Sequence, residues 1–440
     1  MELSATIDPP TDLRVKPKLP TPALPPGLLR HVRPTDLPAA VDLATRATTD
    51  VIDITEGVHQ AVRRTLGLPE GDRHGRTSGL PGLVYRGVRA TTNLVGGGAA
   101  ALITRLLPWL DDPASHPPPS REREAVIGAL NGVMGDRLRA TGNALAQPME
   151  LRLADGQVLP IDQPEALRAA LAEARPRLLL LAHGLCMNEH AWQRGGQDLG
   201  QYLAAELDAT PIYLRYNTGL HTSTNGRELA ARLEQLAHAW PQPPERIALI
   251  GHSMGGLVLR SAQAYGAEAG HGWIAALRHL VFLATPHHGA PLERAGQGLH
   301  AVLSSTPWSA PFTRLRRLHS AGITDLRHGN VLDADWQGRG RFGPGEDRRT
   351  PLPLPPGVAC YAVAATLARA RSPLADRLTG DGLVPLRSAL GEHDEPTRRL
   401  RFGKANQWIA WRTGHLELLA RPALAERVRD WLSADTATDD

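Results

Sequence analysis

The feature that most constrains this chain is the run from Arg246 to Tyr265, RIALIGHSMGGLVLRSAQAY. Arg246 to Ile250 reads as a short apolar strand, and Gly255 to Ala269 continues with helical spacing. Between them stands Gly251-His252-Ser253-Met254-Gly255. A strand that passes into a helix over so few residues needs a sharp turn. A serine at the apex of that turn is held in a strained backbone conformation, with its hydroxyl exposed at the sheet edge. Glycine at 251 and 255 lets neighbouring backbone pass closely, and the helix start beyond Ser253 favours negative charge developing there. The pentapeptide alone is a weak signal in a chain with 43 glycines. Its setting gives it weight.

The surrounding pattern is that of an α/β fold. Near Glu150 the period switches to two, and Leu151, Leu153, Asp155-Gly156 and Val158 read as a hairpin with a tight turn. Short apolar strands follow at Leu178–Ala182, Ile212–Tyr216, Arg246–Ile250, Leu280–Ala284 and Val358–Ala364. Helical patterns fill Gln193–Leu207, Gly226–Trp240 and Gly255–Ala269, with Asn225 and Glu228 as a capping box for the second. Strand–helix alternation of this kind implies a mostly parallel central sheet covered by helices on both faces. The stretch 291–356 has no clear strand and is expected to be a cap or lid insertion. The organisation expected is therefore a Pro-rich arm over 1–36, a helical N-terminal region over 37–148 and a catalytic domain over 149–440. Within the helical region, one stripe runs from Ala40 to Ala61, a second stretch from Leu83 to Leu110, and a third from Glu122 to Ala140.

A serine hydroxyl needs a base to take its proton. His415, in Thr413-Gly414-His415-Leu416-Glu417, follows the apolar run Trp408–Trp411 and is expected to open the final helix. Asp381, in Gly380-Asp381-Gly382-Leu383-Val384-Pro385, lies beyond Val358–Ala364, read as the last parallel strand, and would orient the base. Ser253, Asp381 and His415 thus come in the order serine, carboxylate, histidine. Leu178–Ala182 ends in His183-Gly184-Leu185-Cys186, where Gly184 permits a close turn. Backbone N–H groups of Leu185 and Met254 are the candidate oxyanion donors. His252 reads as a packed neighbour of the nucleophile. His287 and His288 come too early to be the base and are expected to border the pocket. Asp333 and Asp335 are weaker candidates for the acid, and Cys186 reads as a small buried hydrophobe.

Several classes are disfavoured by composition. A formal charge of +4 over 440 residues gives little reason to expect nucleic-acid binding. Two cysteines, Cys186 and Cys360, cannot build a disulfide framework, and no spacing suggests a metal. No cofactor is expected. The start MELSATIDPP lacks the pattern of a signal peptide, and no run of about 18 uncharged apolar residues occurs, so a soluble cytoplasmic protein is expected. The segment Leu83–Leu107 carries Arg86, Arg89 and Arg105 among apolar residues, which would suit a peripheral lipid or granule surface.

The pieces LLLLAHGLCMN, IALIGHSMGGLV, LVFLATPHHGAPLE, GDGLVP and GHLELL together resemble the lipase/esterase branch of the α/β-hydrolase superfamily, over about Met149 to Trp431. The elbow and the TPHHG segment are especially similar to bacterial lipases and PGAP1-like acyl hydrolases. The resemblance implies a carboxylic ester hydrolase working through an acyl-enzyme, with Ser253, Asp381 and His415 as triad. His183-Gly184 would be a lipase-like oxyanion motif that goes with medium or long acyl chains or lipid esters. Two alternatives use the same fold: an acyltransferase with the same triad, and a lipid- or granule-surface protein without turnover.

Overall fold

The computed structural model describes residues 33–46, 48–49, 56, 79–110, 118–290, 320–338, 347, 349–370 and 380–434. The chain divides into two compact units, Met1–Pro119 and Ser120–Asp440. Most of the expected Pro-rich arm, much of the stripe to Ala61, and 291–319 of the expected cap lie outside the described residues.

In the first unit, residues 36–46 are helical and a longer helix, α1, covers Gly79–Leu110. The Gly96-Gly97-Gly98 run does not interrupt α1, because Gly96 is buried against the side chain of Thr45, where a Cβ would collide.

The second unit opens with α2 (Arg121–Ala140), capped by Ser120, whose side chain accepts from the Arg123 amide. The compact unit therefore starts about thirty residues before the expected boundary at Met149. The physical reason lies on one face of α2. A Cβ at Gly132 would strike Cys186, one at Gly135 would strike Asn217, and one at Gly128 would lie 3.0 Å from the Met187 carbonyl oxygen. The helix is a fitted wall of the larger unit.

The sheet has seven strands: β1 (Glu150–Arg152), β2 (Arg177–Ala182), β3 (Ala209–Arg215), β4 (Arg246–His252), β5 (Leu277–Leu283), β6 (Ala359–Thr366) and β7 (Gln407–Trp411). Their order is β1-β3-β2-β4-β5-β6-β7, with β1 antiparallel to β3 and every other pair parallel. Side chains alternate between two cores. Leu178, Leu180 and Ala182 join one buried cluster, while Leu179 and Leu181 join the other. Helices α3 (Leu199–Leu207), α4 (Thr222–Ala239), α5 (Met254–Glu268), α6 (Ala321–His328) and α7 (Pro422–Ser433) complete the frame used below.

Four expectations need correction. Gln193–Asp198 is a two-stranded hairpin, not helix, because Gly195 and Gly196 take positive φ and turn the chain back. Helix α4 begins at Thr222 instead of at the Asn225 box. Asn225 is buried inside the helix and donates to the Asn217 carbonyl. Val358–Ala364 is not the last parallel strand, since Trp408–Trp411 forms β7 beside it. His415 does not open the final helix directly. A short 3-10 turn, Glu417–Ala420, comes first, and Pro422 starts α7.

The register aligns the carboxyl ends of the central strands. Ala182 of β2 pairs with Gly251 of β4, His252 with Leu283 of β5, and Thr366 of β6 with Trp411 of β7. Segments that follow these strands leave from one edge of the sheet, where α/β folds place their sites.

Candidate active site

Ser253 sits between β4 and α5 with φ 55° and ψ −123°, a conformation costly for a residue with a side chain. Neighbouring backbone over-determines it. The Ser253 amide donates to the Leu283 carbonyl at 2.8 Å, and the Gly256 amide donates to the Ser253 carbonyl at 3.1 Å. A Cβ at Gly255 would collide with the Ala182 carbonyl oxygen, so the helix can start this close to β2 only with glycine there. A Cβ at Gly251 would lie 2.5 Å from the Gly256 nitrogen.

The histidine and carboxylate meet as the sequence order implies. His415 Nδ1 lies 2.7 Å from Asp381 Oδ2, and the His415 amide donates to the Asp381 carbonyl at 3.1 Å. The second oxygen of Asp381 accepts from the Leu383 and Val384 amides at 2.9 and 2.8 Å. Both side chains are buried. With Nδ1 spent on the carboxylate, Nε2 is left for a hydroxyl. The turn carrying Asp381 is tied to the sheet by the Leu367 amide, which donates to Gly380, and the Thr413 amide donates to Thr366.

The elbow and the histidine turn touch through His252. Its ring centroid is 4.7 Å from that of His415, and its Nε2 donates to the His415 carbonyl at 3.2 Å. Burial drives the His252 ring well below its usual pKa. It packs as a neutral neighbour of His415. On the other side, a Cβ added at Gly184 would lie 3.1 Å from Ser253 Cβ and 3.3 Å from His252 Nδ1. The turn after β2 therefore runs alongside the nucleophile.

That turn is held by groups the sequence reading missed. The Tyr216 hydroxyl donates to the His183 carbonyl at 2.7 Å, and the Cys186 amide donates to Thr218 Oγ1 at 3.1 Å. Tyr216 also stacks on the His183 ring at 4.6 Å. Their signal was the polar tail Tyr216-Asn217-Thr218 on a strand whose core is apolar. Burial pulls the His183 ring down to about 4. Among the described residues, neither the Leu185 nor the Met254 amide donates to a protein group. Two backbone donors thus stand unspent beside Ser253, the requirement for holding an oxyanion.

The rival residues are occupied elsewhere. Asp333 pairs with Arg227, and Asp335 accepts from the Val331, Leu332 and Thr350 amides. Burial pushes the Cys186 thiol up to about 12, so it is not a thiolate at neutral pH. A second polar cluster joins Glu124, Glu189, His190 and Arg215. Glu124, Glu189 and His190 could face one metal ion, but Arg215 already lies 2.8 Å from Glu124 and is paired to Glu189. The carboxylate charge is answered by a guanidinium.

Residues 182–344 match the PGAP1-like alpha/beta domain. The mostly parallel seven-stranded sheet with its flanking helices decides the fold class. The larger unit has the α/β-hydrolase fold. Solved structures similar to it include a Bacillus licheniformis lipase (17% identity, 59% of this chain and 92% of that one, TM-score 0.38). Others are a Pyrococcus furiosus esterase (13%, 64% and 88%, 0.36) and a Streptomyces coelicolor thioesterase of prodiginine biosynthesis (16%, 59% and 90%, 0.35). No curated protein matches the chain. Within this α/β-hydrolase frame, the described residues include no helix long and apolar enough to cross a membrane.

Proposed function

We propose that this protein is a serine ester hydrolase that works through an acyl-enzyme. The observation that carries the reading is the buried His415–Asp381 pair beside a serine held at positive φ on a strand-to-helix turn. Ser253 attacks the ester carbonyl, and His415 Nε2 takes its proton. The Leu185 and Met254 amides hold the oxyanion, and His415 returns the proton to the leaving alcohol. Water then attacks the acyl-enzyme with His415 again as base. Asp381 fixes the tautomer and answers the imidazolium charge. The substrate class proposed is a lipid or medium- to long-chain ester. A p-nitrophenyl ester series from two to sixteen carbons, run with wild type and Ser253→Ala, tests the reading. Turnover lost in the variant is expected, together with labelling of Ser253 by a phosphonate. Equal inactivity of both proteins, with no labelling, would overturn it.

One observation supports lipid-surface association of the same enzyme. On α1, Leu83, Val84, Val88, Leu94, Val95, Leu102 and Leu106 are all exposed. At 100° per residue they fall within an arc of about 140°. Arg89 is paired with Glu56, but Arg86 and Arg105 are exposed and the helix has no acidic residue, a composition suited to an anionic lipid surface. Flotation with phosphatidylglycerol vesicles, comparing wild type with Leu94→Asp/Leu102→Asp, tests this. Equal flotation of the two would remove it.

A further inference from the structure

Arg260 lies on α5, the helix that begins at the candidate nucleophile, and is only 7% exposed. Among the described residues its one hydrogen bond is from Nη2 to the Leu352 carbonyl at 2.6 Å. No carboxylate approaches within ion-pair distance among the described residues. A buried cation left with a single carbonyl is costly unless something negative answers it. The acid whose charge reaches it, Asp335, is committed to three backbone amides.

A small cleft opens beside this guanidinium. Arg260, His287, Asp335, Arg349, Leu352 and Arg398 are among its walls, and its volume of about 20 Å³ suits one small ion. His287 is 0% exposed, and neither ring nitrogen has a partner among the described residues. Burial and the neighbouring arginines push this imidazole well below its usual pKa and bring Arg260 down to about 10. The His287 ring is therefore neutral and retains one N–H able to donate. Arg349 frames the cleft by donating to the His287 and Gly329 carbonyls at 3.0 Å each. A buried unpaired cation, an unspent imidazole donor and an ion-sized cleft thus coincide.

We infer that this cleft binds one small inorganic anion, a halide or a compact oxyanion, between Arg260 and His287. The anion would join α5 and the turn after β5 to the chain returning at 349–352. This assignment does not depend on the proposed ester hydrolysis, because it is read by binding.

The test uses the full chain at constant ionic strength, with gluconate as the non-binding counter-ion. Chloride, sulfate and phosphate are titrated separately while the melting temperature is followed. A saturable rise of roughly 3–6 °C is expected for at least one of them in wild type, with the response lost in Arg260→Met. If Arg260→Met does not fold, His287→Phe replaces it, and a bromide-soaked crystal reads the site through anomalous scattering. The expected peak lies between residues 260 and 287. Absence of any saturable response, or a response that persists in the folded variant, would overturn the assignment. So would a soaked crystal with no bromide peak there and no response to sulfate or phosphate.

Discussion

His415 and Asp381 are joined twice, through their side chains at 2.7 Å and through the His415 amide and Asp381 carbonyl at 3.1 Å. The main-chain bond holds the two turns together even when the side-chain bond is changed. Asp381→Asn is therefore expected to fold with little loss of stability. The amide would, however, favour the wrong imidazole tautomer. An esterase kcat down by about 10⁴ with a nearly unchanged melting curve is the expected result. A large fall in stability would show that the carboxylate mainly supports structure.

Ser253 occupies a backbone region that suits glycine. Replacing it by glycine removes strain of order 1–3 kcal/mol and adds about 1 kcal/mol of unfolded-chain entropy. Ser253→Gly is expected to be inactive and about 1 kcal/mol more stable than wild type, while Ser253→Ala gains nothing. Urea midpoints of the three proteins check this.

Acid should destabilise the fold well before most paired carboxylates titrate. Burial holds the His183 and His279 rings down at about 4, against an ordinary 6.5. Between those values the unfolded chain binds protons that the folded chain does not, so stability falls as pH drops from 6.5 toward 4. Each ring accounts for on the order of 2–3 kcal/mol of that loss. Glu124, held to about 2 despite its burial by His190 and Arg215, adds its loss only below 4.5. Both ring nitrogens of His279 lack partners among the described residues, so His279→Leu should flatten the slope of urea midpoint against pH above 4.5. An unchanged slope would exclude its contribution.

The Glu124–Arg215–Glu189 cluster should behave as an ion-pair network. Arg215→Met leaves buried Glu124 with His190 alone and Glu189 with Arg152 alone, and is expected to cost about 3–5 kcal/mol. Chelation with EDTA is expected to leave the wild-type melting temperature and esterase rate unchanged. A fall on chelation, restored by a divalent cation, would show that a metal shares the cluster.

Much of this was legible in the sequence, for a physical reason. A parallel strand buried on both faces is a continuous apolar run, and five such runs lie within a few residues of β2 to β6. Ser253, Asp381 and His415 could be named because each sits on a glycine-marked turn with chemistry of its own. The reading failed where local signals competed. Gln193–Asp198 looked helical by its neighbours, although Gly195-Gly196 is a hairpin turn. Asn225 looked like a cap, although its amide serves a loop eight residues back. The Arg260–His287 cleft left no local trace, because its walls come from distant segments.

The glycine face of α2 has a practical consequence. Gly128, Gly132 and Gly135 press against Met187, Cys186 and Asn217, the backing of the turn beside Ser253. A shortened protein designed from the recognisable motifs alone would start near Met149 and lack that buttress. Its elbow could be intact while the two free amides drift apart. Any minimal version should retain the chain from before Ser120.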